Sequence, residues 1–316
     1  MQLRTLGRTG MKVSPLMLGG NVFGWTADES TSFAILDAFV AAGGNFVDTA
    51  DVYSAWAPGH TGGESETVIG KWFKNSGKRT QIIVATKVGF PLGPDKKGLS
   101  AAYIERAVED SLRRLQTDYI DIYFSHTDDA TVTMDETLRA YQRLIEKGKV
   151  RVIGVSNFTQ ERVSEAMTTS KQHGLPAYQV IQPQYNLCER TDYEANLEVQ
   201  SQEHGFGVVT YYALASGFLT GKYRSESDLA NRPRRYNAKK YLNDRGFRIL
   251  AALDAVAKLH NATLAQVALA WIMARKSVTA PIASATSVAQ VNELCGSMSL
   301  QLSSADIEQL NKASAI

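Results

Sequence analysis

An acid, a phenol, an amine and an imidazole stand at or just beyond the ends of short apolar runs in this chain. Asp48 closes Asn45-Phe-Val-Asp48, and Lys87 closes Ile82-Ile-Val-Ala-Thr-Lys87. His126 closes Tyr119-Ile-Asp-Ile-Tyr-Phe-Ser-His126, and the pair Ser156-Asn157 closes Val150-Arg-Val-Ile-Gly-Val-Ser156-Asn157. Tyr53 follows Asp48 in the next loop. A free phenol, with a pKa near ~10, is a feeble acid at neutral pH. A nearby ammonium favours the phenolate and lowers that pKa, so Lys87 is expected to make Tyr53 a usable proton donor. Asp48 can hold the lysine charged and oriented. His126 can donate an N–H to the oxygen that Tyr53 protonates. Together the four suit proton delivery to a carbonyl oxygen while its carbon is attacked.

These residues lie far apart in sequence, so the fold must bring them together. Short apolar runs at 16–20, 45–50, 81–87, 119–126, 149–157, 178–185, 206–214 and 279–285 read as strands. Helical patterns follow at 30–42, 64–75, 100–115, 134–147, 160–173 and 193–204. Further helices are expected at 245–260, 263–274, 288–298 and 303–312, after a long segment at 215–243. Ser100 is placed to cap its helix. The opening residues 1–15, around Gly7-Arg-Thr-Gly10, read as a hairpin. Eight strands alternating with helices allow a closed barrel or an open doubly wound sheet. Gly19-Gly-Asn-Val-Phe-Gly24 lacks the GxGxxG spacing of a dinucleotide-binding turn. Polar residues end nearly every strand instead of clustering at one switch point. The expected fold is therefore a single (β/α)8 barrel over residues 1–316, with an N-terminal hairpin and extra C-terminal helices.

Composition narrows the function. Of 316 residues, 44% are apolar and 21% charged, and the net charge is +2, which gives no field for nucleic acid or an anionic membrane. The apolar segment from Leu264 to Ala274 is interrupted by Gln266 and reads as a core helix. Without a signal-like start or a membrane-length run, a cytoplasmic location is expected. Cys188 and Cys295 have no ligand spacing and read as structural thiols. No histidine pair has metal-ligand spacing, and His60, His173, His204 and His260 carry no expected role. There is no Gly-x-Ser-x-Gly elbow for a serine hydrolase.

Seven segments, in order, resemble the aldo-keto reductase family over almost the whole chain. They are Asp48-Thr-Ala-Asp-Val-Tyr53, Ala85-Thr-Lys87, the His126 strand, Ile153-Gly-Val-Ser-Asn-Phe158 and Gln182-Pro-Gln-Tyr-Asn186. The last two are Tyr211-Tyr-Ala-Leu-Ala-Ser-Gly-Phe-Leu-Thr-Gly-Lys222 and Pro281-Ile-Ala-Ser-Ala-Thr286 with Gln290. The resemblance implies a nicotinamide cofactor bound without a Rossmann domain, and Asp48, Tyr53, Lys87 and His126 as a catalytic tetrad. By the same carry-over, Ser156, Asn157 and Gln182 would bond the nicotinamide carboxamide and Tyr211 would stack on its ring. Backbone around Leu214, Ser216 and Gly217, with Lys222, would meet the pyrophosphate. Ser284, Thr286, Gln290 and Glu293 would line the adenosine end, and Asn21 would touch cofactor or pocket.

The chain departs from the family at three places. Strand eight ends Ser284-Ala-Thr286 where many relatives have Gly-Ala-Arg or Gly-Ala-Lys. Glu293-Leu294 replaces a Glu-Asn pair, and Tyr211-Tyr-Ala-Leu214 replaces Tyr-Ser-Pro-Leu. The preferred cofactor is expected to be NADPH over NADH, with Arg234 of Arg232-Pro-Arg-Arg235 reading the 2′-phosphate in place of the missing basic residue. The expected activity is reduction of a small aldehyde or ketone. Its alternative is a cofactor-binding regulatory subunit with little turnover, like the potassium-channel β-subunits of similar fold. A barrel lyase or isomerase would leave Ser156, Asn157, Gln182 and Tyr211 unexplained. Phe23, Trp25 and Trp56 are expected to wall an apolar pocket.

Overall fold

A computed structural model describes residues 2–230 and 235–315. Eight parallel strands close into a barrel: β3 (Met17–Gly19), β4 (Phe46–Asp48), β5 (Ile83–Val88), β6 (Ile120–Ser125), β7 (Val150–Ser156), β8 (Val180–Gln182), β9 (Gly207–Thr210) and β10 (Ala280–Ala283). The barrel closes where β10 pairs with β3, Ile282 opposite Met17. The open-sheet alternative is thereby removed.

Around the strands pack α1 (Glu29–Ala41), α2 (Glu64–Ser76), α3 (Ala101–Leu115), α4 (Met134–Glu146), α5 (Gln160–His173) and α6 (Glu198–His204). After β9 come α7 (Arg235–Lys239), α8 (Asp244–His260) and α9 (Leu264–Met273), then α10 (Val288–Gly296) and α11 (Ser304–Ala313) after β10. Caps fix many of the helix starts. The Ser100 side chain accepts from the Tyr103 amide, as its position predicted. Thr133, Thr159, Thr263, Ser287 and Ser303 do the same for α4, α5, α9, α10 and α11. Helix α9 is buried almost throughout, as its composition required.

Side chains alternate across a strand, so one inward column runs up each strand of a barrel. The lower inward positions are apolar: Met17, Phe46, Ala85, Phe124, Val152, Val180, Val209 and Ile282 share one cluster inside the barrel. Two residues farther along, the same columns reach Asp48 from Phe46, Lys87 from Ala85, His126 from Phe124, Gln182 from Val180, Tyr211 from Val209 and Ser284 from Ile282. The change from apolar to polar within these six columns raises a polar mouth on an apolar floor. Gly154 makes room inside, since a Cβ there would lie 2.5 Å from the Phe124 ring.

The hairpin of β1 (Arg4–Thr5) and β2 (Lys12–Val13) plugs the opposite end, with Leu6 and Val13 joining the interior cluster. Its turn approaches β9 so closely that a Cβ on Gly7, at φ +48°, would come 2.2 Å from the Gly207 nitrogen.

Three elements are shorter or more broken than the pattern predicts. Strand β8 stops at Gln182 because Pro183 has no N–H for the ladder. Strand β9 stops at Thr210, and the chain turns left-handed at Tyr212, φ 54°. The helix expected over 193–204 opens with a π-helical turn, Tyr193–Leu197, before α6. Short 3-10 turns at Ala215–Thr220 and Glu226–Leu229 occupy part of the long segment expected at 215–243.

Candidate active site

Asp48 ends β4, Lys87 lies near the end of β5, and His126 follows β6 directly. The Lys87 ammonium is fully buried, 2.6 Å from Asp48 Oδ1. It donates to the Tyr53 hydroxyl at 2.7 Å and to the Thr49 carbonyl at 2.9 Å. The Tyr53 hydroxyl in turn donates to Asp48 Oδ2 at 2.7 Å. Lys87 also sits over the Tyr53 ring, 4.4 Å from its centroid. The Tyr53 and His126 rings meet edge-on at 6.1 Å. The four residues named from the sequence therefore converge within one hydrogen-bonded group and its neighbouring ring.

The electrostatics correct one expectation. Lys87 does not make the Tyr53 phenol more acidic than usual in this state. Burial pushes that phenol well above its ordinary pKa, and the adjacent Asp48 carboxylate adds to the rise. Tyr53 thus keeps its proton through the neutral range. Burial lowers the Lys87 pKa, against the pull of Asp48. Burial, with a smaller push from Lys87, holds His126 well below the usual histidine range, so its imidazole is neutral. Its Nδ1 has no hydrogen-bond partner among the described residues.

A cavity of about 840 Å³ opens over this group and continues past the ends of β9 and β10. Asn21, Asp48, Tyr53, His126, Asn157, Gln182, Tyr211, Leu214, Ser216, Gly217, Lys222, Ser284, Thr286, Gln290 and Glu293 all line it. Lys87 and Ser156 are absent from its lining. Ser156 Oγ instead donates to the Gln182 carbonyl at 2.9 Å, and so acts on the wall from behind. Gln182 Nε2 donates to Asp48 Oδ1 at 3.0 Å, tying the β8 end to the charged pair. Asn157, left-handed at φ 55°, donates to the His126 carbonyl and accepts from the Tyr211 hydroxyl at 2.9 Å. At the far end Gln290 Oε1 accepts from the Thr286 amide at 2.8 Å, and Ser284 Oγ donates to Asn21 Oδ1. Arg234 lies outside the described residues.

Trp25 and Trp56 form an edge-on pair at 5.7 Å and line the cavity, but Phe23 does not. The Phe23 ring is fully buried in the core, because its loop turns back to pair Phe23 with Ala27 and to accept Ser54 Oγ on the Phe23 carbonyl. Phe90 and Tyr212 are among the cavity residues that the sequence did not single out. Phe90 lies beyond the end of β5 and packs edge-on against His126 at 4.4 Å. Tyr212, half exposed beside Tyr211, also lines the cavity. Both lie just beyond strand ends, β5 for Phe90 and β9 for Tyr212, on the face where the strand-end rule placed Lys87.

Residues 15–315 match the Aldo/keto reductase family. The chain belongs to that family. An uncharacterized oxidoreductase, YrpG, of Bacillus subtilis is 35% identical over 98% of this chain and 95% of its own. A probable voltage-gated potassium channel subunit beta of Arabidopsis thaliana is 34% identical, covering 93% of this chain and 90% of its own. The norsolorinic acid reductase of Aspergillus flavus is 29% identical over 96% and 78%. This family member is therefore placed among oxidoreductases on a closed barrel.

Other buried groups read as framework. The Cys188 thiol is pushed up to about 12 and that of Cys295 to about 11, both by burial, which keeps them protonated and unreactive. His260 has a structural partner after all: its Nε2 lies 2.9 Å from Asp306 and ties the end of α8 to the start of α11. Among the described residues there is no group of three or more His, Cys, Asp or Glu able to hold a metal ion. No described helix is long and apolar enough to cross a membrane.

Proposed function

We propose that this protein is a carbonyl reductase that uses a nicotinamide cofactor and delivers the proton from Tyr53. The observation carrying this reading is the Tyr53 hydroxyl at the cavity's inner end, held between the Lys87 ammonium and the Asp48 carboxylate. The cavity suits an elongated polar cofactor. It runs unbroken from Tyr53 to Glu293, and the unpartnered His126 Nδ1 lies buried at its inner end. Gly217, at φ +90°, leaves open a space where a Cβ would meet Lys222 at 2.8 Å. Asn157 and Gln182 would hold the nicotinamide carboxamide, Tyr211 would stack on the ring, and Leu214, Ser216, Gly217 and Lys222 would meet the pyrophosphate. Ser156 would act by fixing the Gln182 backbone. Asn21, Ser284, Thr286, Gln290 and Glu293 would hold the adenosine end.

When bound and reduced, the cofactor supplies the hydride to the carbonyl carbon. Tyr53 gives its proton to the carbonyl oxygen as negative charge grows there. Lys87, at 2.7 Å, stabilises the phenolate left behind, and Asp48 keeps Lys87 in place. Neutral His126 can donate one N–H to the same oxygen. Trp25, Trp56 and Phe90 would hold the apolar part of a neutral aldehyde or ketone.

His126→Ala is expected to lower kcat about 10²–10³-fold, the usual cost of one lost oxyanion donor. Cofactor affinity, read by nicotinamide fluorescence titration, should stay near that of the native protein. Normal turnover at saturating cofactor would remove His126 from this role.

NADPH is proposed as the preferred cofactor, read by Arg234 in the basic run Arg232-Pro-Arg-Arg235. Arg234→Ala should raise KM for NADPH by about tenfold or more, matching loss of one charge-assisted contact. KM for NADH should barely move. Equal losses for both, or a native preference for NADH, would refute it.

The second reading is a regulatory subunit with little turnover, favoured by the relatives named as probable channel β-subunits. Steady-state turnover on a panel of aldehydes decides between the two.

A further inference from the structure

Behind the barrel wall that carries Lys87 lies a polar cluster that the proposed reaction does not use. Asp51 belongs to the same loop as Tyr53, and its amide donates to the Lys87 carbonyl at 3.3 Å. Its side chain is buried at 2% exposure, and neither carboxyl oxygen has a hydrogen-bond partner among the described residues. The adjacent Val52 amide approaches the carboxyl and favours its ionised form, against the larger opposing effect of burial.

Asp51 feels titratable or charged groups from five surrounding elements. These are Lys87 from β5, Glu66 from α2, Arg114 and Tyr103 from α3, Tyr123 from β6 and Tyr141 from α4. The cations are already committed. Lys87 pairs with Asp48 at 2.6 Å, and Arg114 pairs with Glu66 at 2.7 Å. Glu66 also accepts from Thr86 at 2.5 Å. One fully buried cation, Lys87, and one partly exposed cation, Arg114, thus face three buried carboxyls, and Asp51 is the one without an ion-pair partner of its own. The Tyr123 hydroxyl in the same layer is likewise unpartnered.

An unpaired charge in a low-dielectric interior is neutralised by taking a proton. Burial, then repulsion from Glu66, pushes the Asp51 carboxyl well above the usual carboxylate range. The chain is also tight here: a Cβ on Gly62, where the loop returns, would lie 2.7 Å from the Asp51 carbonyl oxygen. The loop therefore has little room to relieve a charge by shifting locally.

We infer that Asp51 is a positioning residue for Tyr53: a neutral carboxyl at Asp51 lets the loop from 49 to 63 seat against β5, α2 and α3, and a charge there unseats it. The link to catalysis rests on the reading of Tyr53 as proton donor, but the seating of the loop does not.

Asp51→Asn keeps the shape and can never ionise. With its folded-state pKa raised, native Asp51 holds a proton that the unfolded chain has released, so the native protein loses stability as pH rises above the unfolded value of ~4. The melting temperature of the variant should therefore gain on that of the native protein as pH rises above that unfolded value, until the folded Asp51 itself ionises. Over the same rise, amides of 49–54 in the native protein should lose about tenfold more exchange protection than those of the variant, after correction for intrinsic rates. On the alkaline side native kcat should fall while KM holds, and the variant should resist that fall. Parallel melting curves would overturn the inference. Diverging curves with equal exchange in 49–54 would show a proton-holding carboxyl that does not seat the loop, and would overturn it too. If neither protein reduces a carbonyl, the donor reading of Tyr53 fails, while melting and exchange still decide the role of Asp51.

Discussion

Tyr53→Phe is expected to lower kcat for aldehyde reduction about 10²–10⁴-fold, the range that a positioned general acid contributes. The substitution removes one oxygen and little else. Phenylalanine keeps the ring under Lys87, which now stands 4.4 Å from its centroid. Lys87 keeps Asp48 and the Thr49 carbonyl as partners, so no buried cation is orphaned. The fold and the long cavity should therefore survive, and the proposed nicotinamide cofactor should bind within about twofold of its affinity for the native protein, less than the tenfold that ~1.4 kcal/mol would cost. The loss falls on kcat because the hydroxyl matters only as charge develops on the substrate oxygen. A variant that keeps more than about a tenth of native kcat would show that another group supplies the proton.

The positions of these residues were legible because a barrel strand has a period of two. Once Phe46, Ala85 and Phe124 are taken as inward, Asp48, Lys87 and His126 must also point inward, one step nearer the mouth. The eight-strand count, the hairpin and the cap at Ser100 follow from equally local patterns. Properties set by neighbours distant in sequence were not legible. The proton affinity of Tyr53 depends on how deeply the loop buries it and on which Asp48 oxygen its hydroxyl meets. Phe23 and Trp25 are alike in type and two residues apart, yet only Trp25 reaches the cavity, because the chain turns back at Ala27. Ser156 looks like a ligand contact in sequence, but its hydroxyl is spent on the Gln182 carbonyl. Asp51 sits in the motif Asp48-Thr-Ala-Asp51-Val-Tyr53, and nothing in that motif says that the surrounding cations are already paired.

Lys87→Met is expected to damage stability as well as rate. The native ammonium and the Asp48 carboxylate are almost completely removed from solvent, at 0% and 2% side-chain exposure, so solvent screening takes little from their interaction. Methionine fills much of the lysine stem but leaves Asp48 without its cation. Asp48 would keep only the Gln182 amide and the Tyr53 hydroxyl as donors. Breaking one side of a buried pair costs about 3–5 kcal/mol, chiefly through the charge left behind. Denaturant unfolding should show a loss of that size. Adding Asp48→Asn removes the orphaned charge, so the double variant should recover much of the stability lost by Lys87→Met alone. It should not recover turnover, because no cation then stabilises the Tyr53 phenolate during proton transfer. This divergence separates the two roles of the lysine. If the double variant regains both stability and turnover, Lys87 serves only to neutralise Asp48. If the single variant unfolds like the native protein, the pair at 2.6 Å carries less of the fold than its burial implies.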